Sequence, residues 1–242
     1  MKAVILAAGV GSRLAPLTND RPKSLVEVNG TSFLFRQLEL LAAVDIPSHD
    51  VIVVGGYKID FLKDALTRGG FACPIVFNDH FSDWNNFYSL LVAREALGGS
   101  DFLQLDGDTI LDAKLLPKVL AASGDALVAV DCRDELDDET MKVELGDGGV
   151  VRAISKKLDP ATCAGEYIGV TRLAAASADK IFADLATFPS QNLTYEYYEH
   201  AYHRLTGSGA VPFGIVDVHE CTVLEIDTVE DLRRAEALLG HG

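Results

Sequence analysis

The feature that most constrains the fold is an alternation of short apolar runs with helix-like segments across residues 1–108. The apolar runs have the length and composition of strands buried on both faces, and they lie at 2–7, 51–56, 73–78 and 101–108. The segments between them carry apolar side chains at helical spacing, at 32–44, 59–66 and 86–97. Strands that alternate with helices form βαβ units, whose sheet is mostly parallel and covered on both faces. The sequence therefore predicts an α/β protein built as a three-layer sandwich.

The second half of the chain has a different pattern. Two alternating runs surround Gly146-Asp147-Gly148-Gly149, which predicts a β-hairpin over 141–155. Further strands are predicted at 165–173, 215–218 and 223–226, and helices at 174–185 and 194–205. Thr228, followed by Glu230 and Asp231, is typical of a helix N-terminus and predicts a last helix. Because no linker or repeat interrupts the chain, we predict a single domain spanning 1–242 with a mixed, mostly parallel sheet.

The charge and the cysteines narrow the class of protein. The net charge of −15 opposes binding to nucleic acid or to anionic membranes, so an anionic substrate would need a local cationic site or a metal ion. The opening MKAVILAAG is too short for a secretion signal, and no apolar run reaches transmembrane length. The four cysteines are scattered, as expected of reduced thiols, at Cys73, Cys132, Cys163 and Cys221. We expect a cytoplasmic protein with no nucleic-acid partner and no membrane insertion.

The first strand runs into the loop LAAGVGSRLAPLTNDRPKSL. Gly9 and Gly11 follow the strand end, where glycines let backbone N–H groups point at phosphates. A dinucleotide-binding fingerprint needs a third glycine and a helix, but Leu14 and then Pro16 stand there. A Walker loop is excluded because no lysine directly follows the glycines. The loop instead carries cations further on, at Arg13, Arg21 and Lys23, and such a loop can wrap a triphosphate.

Three motifs carry a resemblance to a known family. LAAGVGSRLAPLT…RPKSLVEVNG resembles the signature of sugar-phosphate nucleotidylyltransferase-like proteins, and the similarity continues through DGDT and EIDT. Within that family, FNDHFSDWNNFYSLLVAREAL resembles the bacterial phosphocholine cytidylyltransferases, and GEYIGVTRL is similar to the phosphonate cytidylyltransferases. The resemblance implies a Rossmann-like fold of the nucleotide-diphospho-sugar transferase type. It also implies CTP as a substrate, a small phosphorylated acceptor and release of pyrophosphate.

The resemblance implies roles for the loop and for two distant aspartates. Arg13 would hold the β- and γ-phosphates, and Lys23 would bridge the α-phosphate and the acceptor phosphate. Asp108 in DGDT and Asp227 in EIDT would hold Mg²⁺, which is a hard cation that prefers oxygen ligands. Asp106 is either a nucleotide contact or a carboxylate that caps a turn. The full set of expected nucleotide-binding residues is Leu6, Ala7, Ala8, Gly9, Gly11, Ser12, Arg13, Lys23, Gly56, Ser89 and Asp106.

Stretches rich in aromatic and acidic residues suggest where the acceptor binds. Aromatic faces beside carboxylates suit an ammonium group, and the residues expected there are Asp83, Trp84, Asn86, Tyr88, Glu166, Tyr167, Glu196, Tyr197 and Glu225. Glu225 precedes Asp227 by two positions. Side chains two apart on a strand lie on the same face, so both would face the metal site. The competing interpretation is packing, because Tyr195, Tyr198 and Tyr202 recur at core spacing on a helix.

Three functions are compatible with these residues. The first is a cytidylyltransferase for a phosphocholine-like acceptor. The second is a cytidylyltransferase for a phosphonate such as 2-aminoethylphosphonate or for a polyol phosphate, or a sugar-1-phosphate nucleotidyltransferase. The third is a nucleotide-binding module without catalysis. Intact Arg13, Lys23, Asp108 and Asp227 argue against the third. Nothing in the sequence indicates the oligomeric state.

Overall fold

The computed structural model describes residues 1–133 and 135–240. Its strands are β1 (Lys2–Ala7), β2 (Glu27–Val28), β3 (Thr31–Ser32), β4 (Val51–Gly55), β5 (Ile75–Phe77), β6 (Phe102–Asp106), β7 (Thr109–Leu111), β8 (Ala126–Asp131), β9 (Lys142–Leu145), β10 (Val151–Ser155), β11 (Gly165–Leu173), β12 (Gly214–Asp217) and β13 (Val223–Glu225). Its helices are α1 (Phe33–Ala42), α2 (Ile59–Arg68), α3 (Phe87–Val92), α4 (Arg94–Leu97), α5 (Leu115–Ala121), α6 (Ala175–Leu185), α7 (Glu199–Gly207) and α8 (Val229–Leu239). Among these residues, no helix is long and apolar enough to cross a membrane.

Nine strands form one mixed sheet. The strands follow one another in the order β10-β9-β11-β6-β1-β4-β5, and β8 pairs with both β11 and β12. The pairs of β1 with β4, β1 with β6 and β4 with β5 are parallel, whereas β11 runs antiparallel to its neighbours. The carboxyl ends of β1, β4 and β6 therefore meet at one edge of the sheet, together with the start of β11.

Alternate residues of each central strand enter different cores. In β1, Val4 packs beneath α3, α4, α6 and α7, whereas Ala3 and Ile5 pack beneath α1, α2 and α5. All three side chains are fully buried. Successive side chains of a strand point to opposite faces of the sheet, and helices cover both faces, which gives this distribution. The predicted three-layer α/β sandwich is confirmed.

A small two-stranded sheet stands beside the large one. β7 pairs antiparallel with β13, so that Thr109 lies opposite Glu225 and Leu111 lies opposite Val223. The pair covers a third apolar cluster with α8, through Ile110 and Leu232 among others. This pairing joins two segments that are far apart in the sequence.

Several predicted elements have different limits in the structure. The helix expected at 194–205 starts only at Glu199, and Tyr195 lies in the preceding turn with 80% of its surface exposed. Tyr198 and Tyr202 do pack in the core, as their spacing suggests. The helix expected at 86–97 is split into α3 and α4. The hairpin is present, with Lys142–Leu145 antiparallel to Val151–Ser155.

Candidate active site

A cleft of about 640 Å³ opens at the edge where the parallel strands end. Ala8 and Gly9 follow β1 on one side of it, and Gly107 and Asp108 follow β6 beside them. Asp227, just beyond β13, closes this part of the cleft. Carboxyl ends of parallel strands are the usual ligand-binding edge of such sheets.

The loop after β1 is shaped by Gly11. This residue has a left-handed backbone, with φ of 67°, and it starts the short turn Ser12–Leu14 that carries Arg13. A Cβ atom at position 11 would lie 2.7 Å from Cβ of Lys23. Glycine is therefore required both for the turn and for the close approach of Lys23.

Lys23 lies between two carboxylates. Its Nζ donates hydrogen bonds of 2.6 Å to Oδ2 of Asp108 and 2.6 Å to Oδ1 of Asp227. Burial alone would lower the pKa of Lys23, but the two carboxylates, Asp108 first, outweigh burial and raise this pKa above its ordinary value. A second cation, Arg13, lies 2.8 Å from Oδ2 of Asp227. Burial would raise the pKa of Asp227, but Lys23 and Arg13 together hold it below its usual range.

Three carboxylates form a cluster at this point. Ligand oxygens of Asp108, Glu225 and Asp227 all lie within 4.8 Å of one another. The β7–β13 pair creates this proximity, since the N–H of Ile226 donates to the carbonyl of Asp108 at 3.2 Å. Glu225 reaches solvent in the cleft, yet desolvation by its surroundings, followed by Asp108 and Asp227, raises its pKa to about 7. This donor set is one that could hold a hard divalent cation.

Asp106 lines the same cleft and lies against Gly169 of β11. The hydroxyl of Tyr198 donates to Oδ2 of Asp106 at 2.8 Å. Gly169 adopts φ of 74°, and a Cβ there would stand 2.7 Å from the same oxygen. Burial, followed by the charges of Glu199 and Asp108, raises the pKa of Asp106 well above its ordinary value. Asp106 is thus a half-buried carboxyl group in the lining of the cleft, held by a tyrosine.

Glu199 is a cleft residue that belongs to the aromatic and acidic YEYYEH run but was not among the expected acceptor residues. It is only 5% exposed, it lines the cleft, and its Oε2 has no hydrogen-bond partner among the described residues. Burial is the main cause that raises the pKa of Glu199 to about 7. In the sequence, a carboxylate of the YEYYEH run cannot be distinguished from one on an exposed helix face. The structure places Glu199 at the first residue of α7, where it is buried and lines the cleft.

Lys156 is a second such residue. It lines the cleft, its Nζ lies 3.3 Å from Oε2 of Glu139, and it lies 5.7 Å from the ring centre of Tyr197. The backbone at Lys156 is held by Lys142, a buried residue whose Nζ donates to its carbonyl at 2.7 Å. No sequence motif points to either lysine.

Comparison with known proteins places the chain in a family. Residues 3–192 match the family described as the MobA-like NTP transferase domain. The matched range is well over half of the chain. The chain belongs to the MobA-like NTP transferase family. This assignment confirms the resemblance to nucleotidyltransferases that the sequence motifs suggested.

Individual relatives agree with this family. The chain is 30% identical to the choline-phosphate cytidylyltransferase of Streptococcus pneumoniae in an alignment of 250 residues that covers 99% of this chain and 98% of that one. It is 27% identical to the CMP-5'-(3-aminopropyl)phosphonate synthase of Streptomyces rubellomurinus, covering 98% of this chain but 38% of that one. A solved structure of a CTP:phosphocholine cytidylyltransferase from Streptococcus pneumoniae superposes with a TM-score of 0.78 at 27% identity, over 98% of each chain. The predicted fold type is confirmed.

Most of the expected nucleotide-binding residues of this MobA-like NTP transferase meet in the cleft. Those that line it are Leu6, Ala7, Ala8, Gly9, Arg13, Lys23, Ser89 and Asp106. Gly11, Ser12 and Gly56 lie outside its lining. Gly11 instead packs against Lys23, and Gly56 packs against Phe81. Ser89 accepts a hydrogen bond of 2.9 Å from Asn78, which fixes α3 to the end of β5.

The expected acceptor residues divide into two groups. Asn86, Glu166, Tyr167, Tyr197 and Glu225 line the cleft, and Glu166 pairs there with Arg133. Asp83, Trp84, Tyr88 and Glu196 do not. The ring of Trp84 stacks on His80 at 3.9 Å instead, with Asp83 bonded to the same histidine and Tyr88 edge-on to the indole. Glu196 faces His200 at 3.5 Å. Surface packing around His80 therefore takes up two of the four aromatic residues expected to surround an ammonium group, Trp84 and Tyr88.

Proposed function

We propose that the protein transfers CMP from CTP to a small phosphorylated or phosphonate acceptor that carries an ammonium group, with release of pyrophosphate. The observation that carries the proposal is the composition of the cleft. A glycine turn with Arg13 and Lys23 lies on one side, and Glu199, a buried carboxylate with an unpartnered oxygen, lies on the other. Full-length similarity to a cytidylyltransferase supports cytosine as the base.

The nucleotide binds over the turn after β1. Backbone N–H groups around Gly9 face the phosphates, and Arg13 neutralises the β- and γ-phosphates. Arg13 is suited to this because its side chain is 66% exposed, and its one ion pair among the described residues is with Asp227. Its fork of donors matches phosphate oxygens.

Asp108, Asp227 and Glu225 would hold Mg²⁺. The fit rests on their chemistry, since three carboxylates within 4.8 Å supply the oxygen ligands that this ion prefers. When bound, the ion supplies positive charge next to the triphosphate. Glu225 thus has two proposed roles, as a metal ligand and as an acceptor ligand.

The transfer reaction depends on the positioning of the two reactants and on charge stabilisation more than on acid–base catalysis. An oxygen of the acceptor's phosphate or phosphonate is already an anion, and it attacks the α-phosphorus in line. The bond from that phosphorus to the bridging oxygen breaks, and its electron pair leaves with pyrophosphate. Lys23 stabilises the charge between the two reacting anions, which its position in the lining of the cleft allows. Lys156 adds a cation on the acceptor side.

The acceptor's cationic end is placed by Glu199. A buried carboxylate oxygen with no partner is costly, and an ammonium N–H removes that cost. A quaternary ammonium group has no N–H and is instead recognised by aromatic cages. Among the described residues of the cleft wall, Tyr197 alone offers a well-exposed ring, since Tyr167 is buried and Trp84 lies elsewhere. Acceptors with a primary ammonium, such as 2-aminoethylphosphonate, are therefore favoured over phosphocholine.

A screen of pyrophosphate release tests the proposal. Each of CTP, UTP, GTP and ATP is paired with phosphocholine, phosphoethanolamine, 2-aminoethylphosphonate, glycerol phosphate and hexose-1-phosphates. We expect CTP with a primary amine to give the highest kcat/KM. Glu199→Gln should raise the KM of that acceptor several-fold with little change for CTP. Glu196→Gln is the matched control, because Glu196 is an acid three positions away that lies outside the cleft lining.

Other results of the screen would separate the alternatives. Highest turnover with a hexose-1-phosphate or glycerol phosphate would refute the ammonium site but keep nucleotidyl transfer. CTP binding without turnover on any acceptor would favour a non-catalytic module. Cytoplasmic location remains a prediction from the sequence.

A further inference from the structure

The carboxylates proposed to hold a metal ion are already in contact with a cation of the chain. Nζ of Lys23 lies 2.6 Å from an oxygen of Asp108 and 2.6 Å from an oxygen of Asp227. The side chain of Lys23 is only 11% exposed, so these contacts are shielded from solvent. A divalent ion bound by the same two carboxylates would stand next to this ammonium group, and the two positive charges would repel each other.

The surroundings of Lys23 fix its backbone but not its far end. Gly11 packs against the first two carbons of the side chain, and the carbonyl of Lys23 accepts the N–H of Val26 at 3.0 Å. The only hydrogen bonds of the ammonium group among the described residues are those to Asp108 and Asp227. The last carbons can therefore rotate and carry Nζ to another anion in the cleft.

We propose that Lys23 is a resident counter-ion that competes with the divalent cation for Asp108 and Asp227. The carboxylates accept the metal when Lys23 leaves, and a triphosphate favours this exchange because its oxygens offer Lys23 a new partner. Metal and nucleotide then promote each other's binding. The inference rests on the proposed function in one respect, namely that these carboxylates bind a divalent metal.

The test measures metal binding in the full chain without nucleotide. Mn²⁺ is titrated, and the free ion is followed by electron paramagnetic resonance. Lys23→Met keeps the apolar stem and removes the charge, and it should bind Mn²⁺ about tenfold more tightly than wild type or better. Lys23→Gln, which keeps a hydrogen-bonding end, should show the same gain. The matched control is Arg21→Met, which removes a cation that pairs with Asp20, and it should change the affinity less than about twofold.

Combining these variants with Asp108→Asn separates two kinds of failure. Equal Mn²⁺ affinity of wild type and Lys23→Met, with both weakened by Asp108→Asn, would overturn the competition while keeping the metal site. Mn²⁺ binding that ignores Asp108 in every variant would refute the metal site itself, and the competition with it. Equal tightening by Arg21→Met and Lys23→Met would reduce the effect to overall charge and would also overturn the proposal.

Discussion

At the scale of single residues, Lys23 is buried and charged, and in the proposed reaction it stands between the reacting groups. Lys23→Ala should lower kcat/KM by about a hundredfold or more, because a charge that stabilises the transition state is lost. Steady-state pyrophosphate release measures this. Arg21→Ala is the control within the same loop, since Arg21 pairs with Asp20 outside the cleft lining. Near-wild-type turnover of a folded Lys23→Ala protein would contradict the role given to Lys23.

The carboxylates proposed to hold Mg²⁺ lead to a prediction about the magnesium requirement. Asp108→Asn or Asp227→Asn should raise the Mg²⁺ concentration needed for half-maximal activity, because an amide is a weaker ligand than a carboxylate. Activity is measured across a Mg²⁺ series at fixed CTP. Chelator should stop the wild type, and turnover that persists in excess EDTA would be incompatible with the site.

Glu199 makes a prediction about stability and pH. Its pKa of about 7 in the folded protein lies above the ordinary value of 4.5, so the folded state prefers the protonated form. The associated stabilisation is complete below about pH 4.5 and is lost as the pH rises to 7 and beyond. Relative to Glu199→Gln, the wild type should therefore lose on the order of 2–3 kcal/mol between pH 5 and pH 8. Urea unfolding at both pH values measures this, and parallel pH profiles of the two proteins would contradict it.

At the scale of elements, the start of α8 fixes a carboxylate of the site. The side chain of Asp231 accepts the N–H groups of Asp227 and Thr228, and Thr228 caps the helix in return. Asp231→Ala should cost about 1 kcal/mol of stability and also raise the Mg²⁺ requirement, because Asp227 loses its anchor. Glu230→Ala, the neighbouring acid in the same turn, should do neither. Equal magnesium requirements of the two variants would show that the cap supports the fold alone.

The elements also show what the sequence could predict. β1 and β11 were predicted with the limits that the structure has, and β1 is an apolar run that ends at a glycine turn. β8 was not identified, although its ALVAV stretch is an apolar run of strand length like that of β1. The pairing of β7 with β13 could not be inferred either, because antiparallel pairing between distant segments leaves no local pattern. That pair nevertheless brings Asp227 to Asp108.

At the scale of the whole molecule, the site also has one part that could be predicted from the sequence and one part that could not. The glycine loop and the two metal aspartates were predicted from motifs, and the structure brings them together in one cleft. The acceptor side was predicted from composition, and here the structure differs, with Trp84 stacked on His80 and Glu199 in the cleft instead. Motifs preserve chemistry that depends on local spacing. Composition cannot distinguish an aromatic residue at a binding wall from one in surface packing.

The charge of the whole molecule leads to the last prediction. The net charge is −15, and the described residues that line the cleft include ten carboxylates but only five lysines and arginines. A polyanionic nucleotide would therefore approach against repulsion, while the contacts proposed for it in the cleft are with the cations Arg13 and Lys23. At about 0.1 M salt the screening length is about 10 Å. Salt therefore weakens repulsion over longer distances more strongly than it weakens direct contacts. The association rate of CTP should thus rise about two- to fivefold between 10 and 150 mM KCl at saturating Mg²⁺, opposite to the usual electrostatic steering. Stopped-flow binding with sucrose as the uncharged control measures this, and a rate that falls steadily with salt would mean that Arg13 and Lys23 dominate the field at long range.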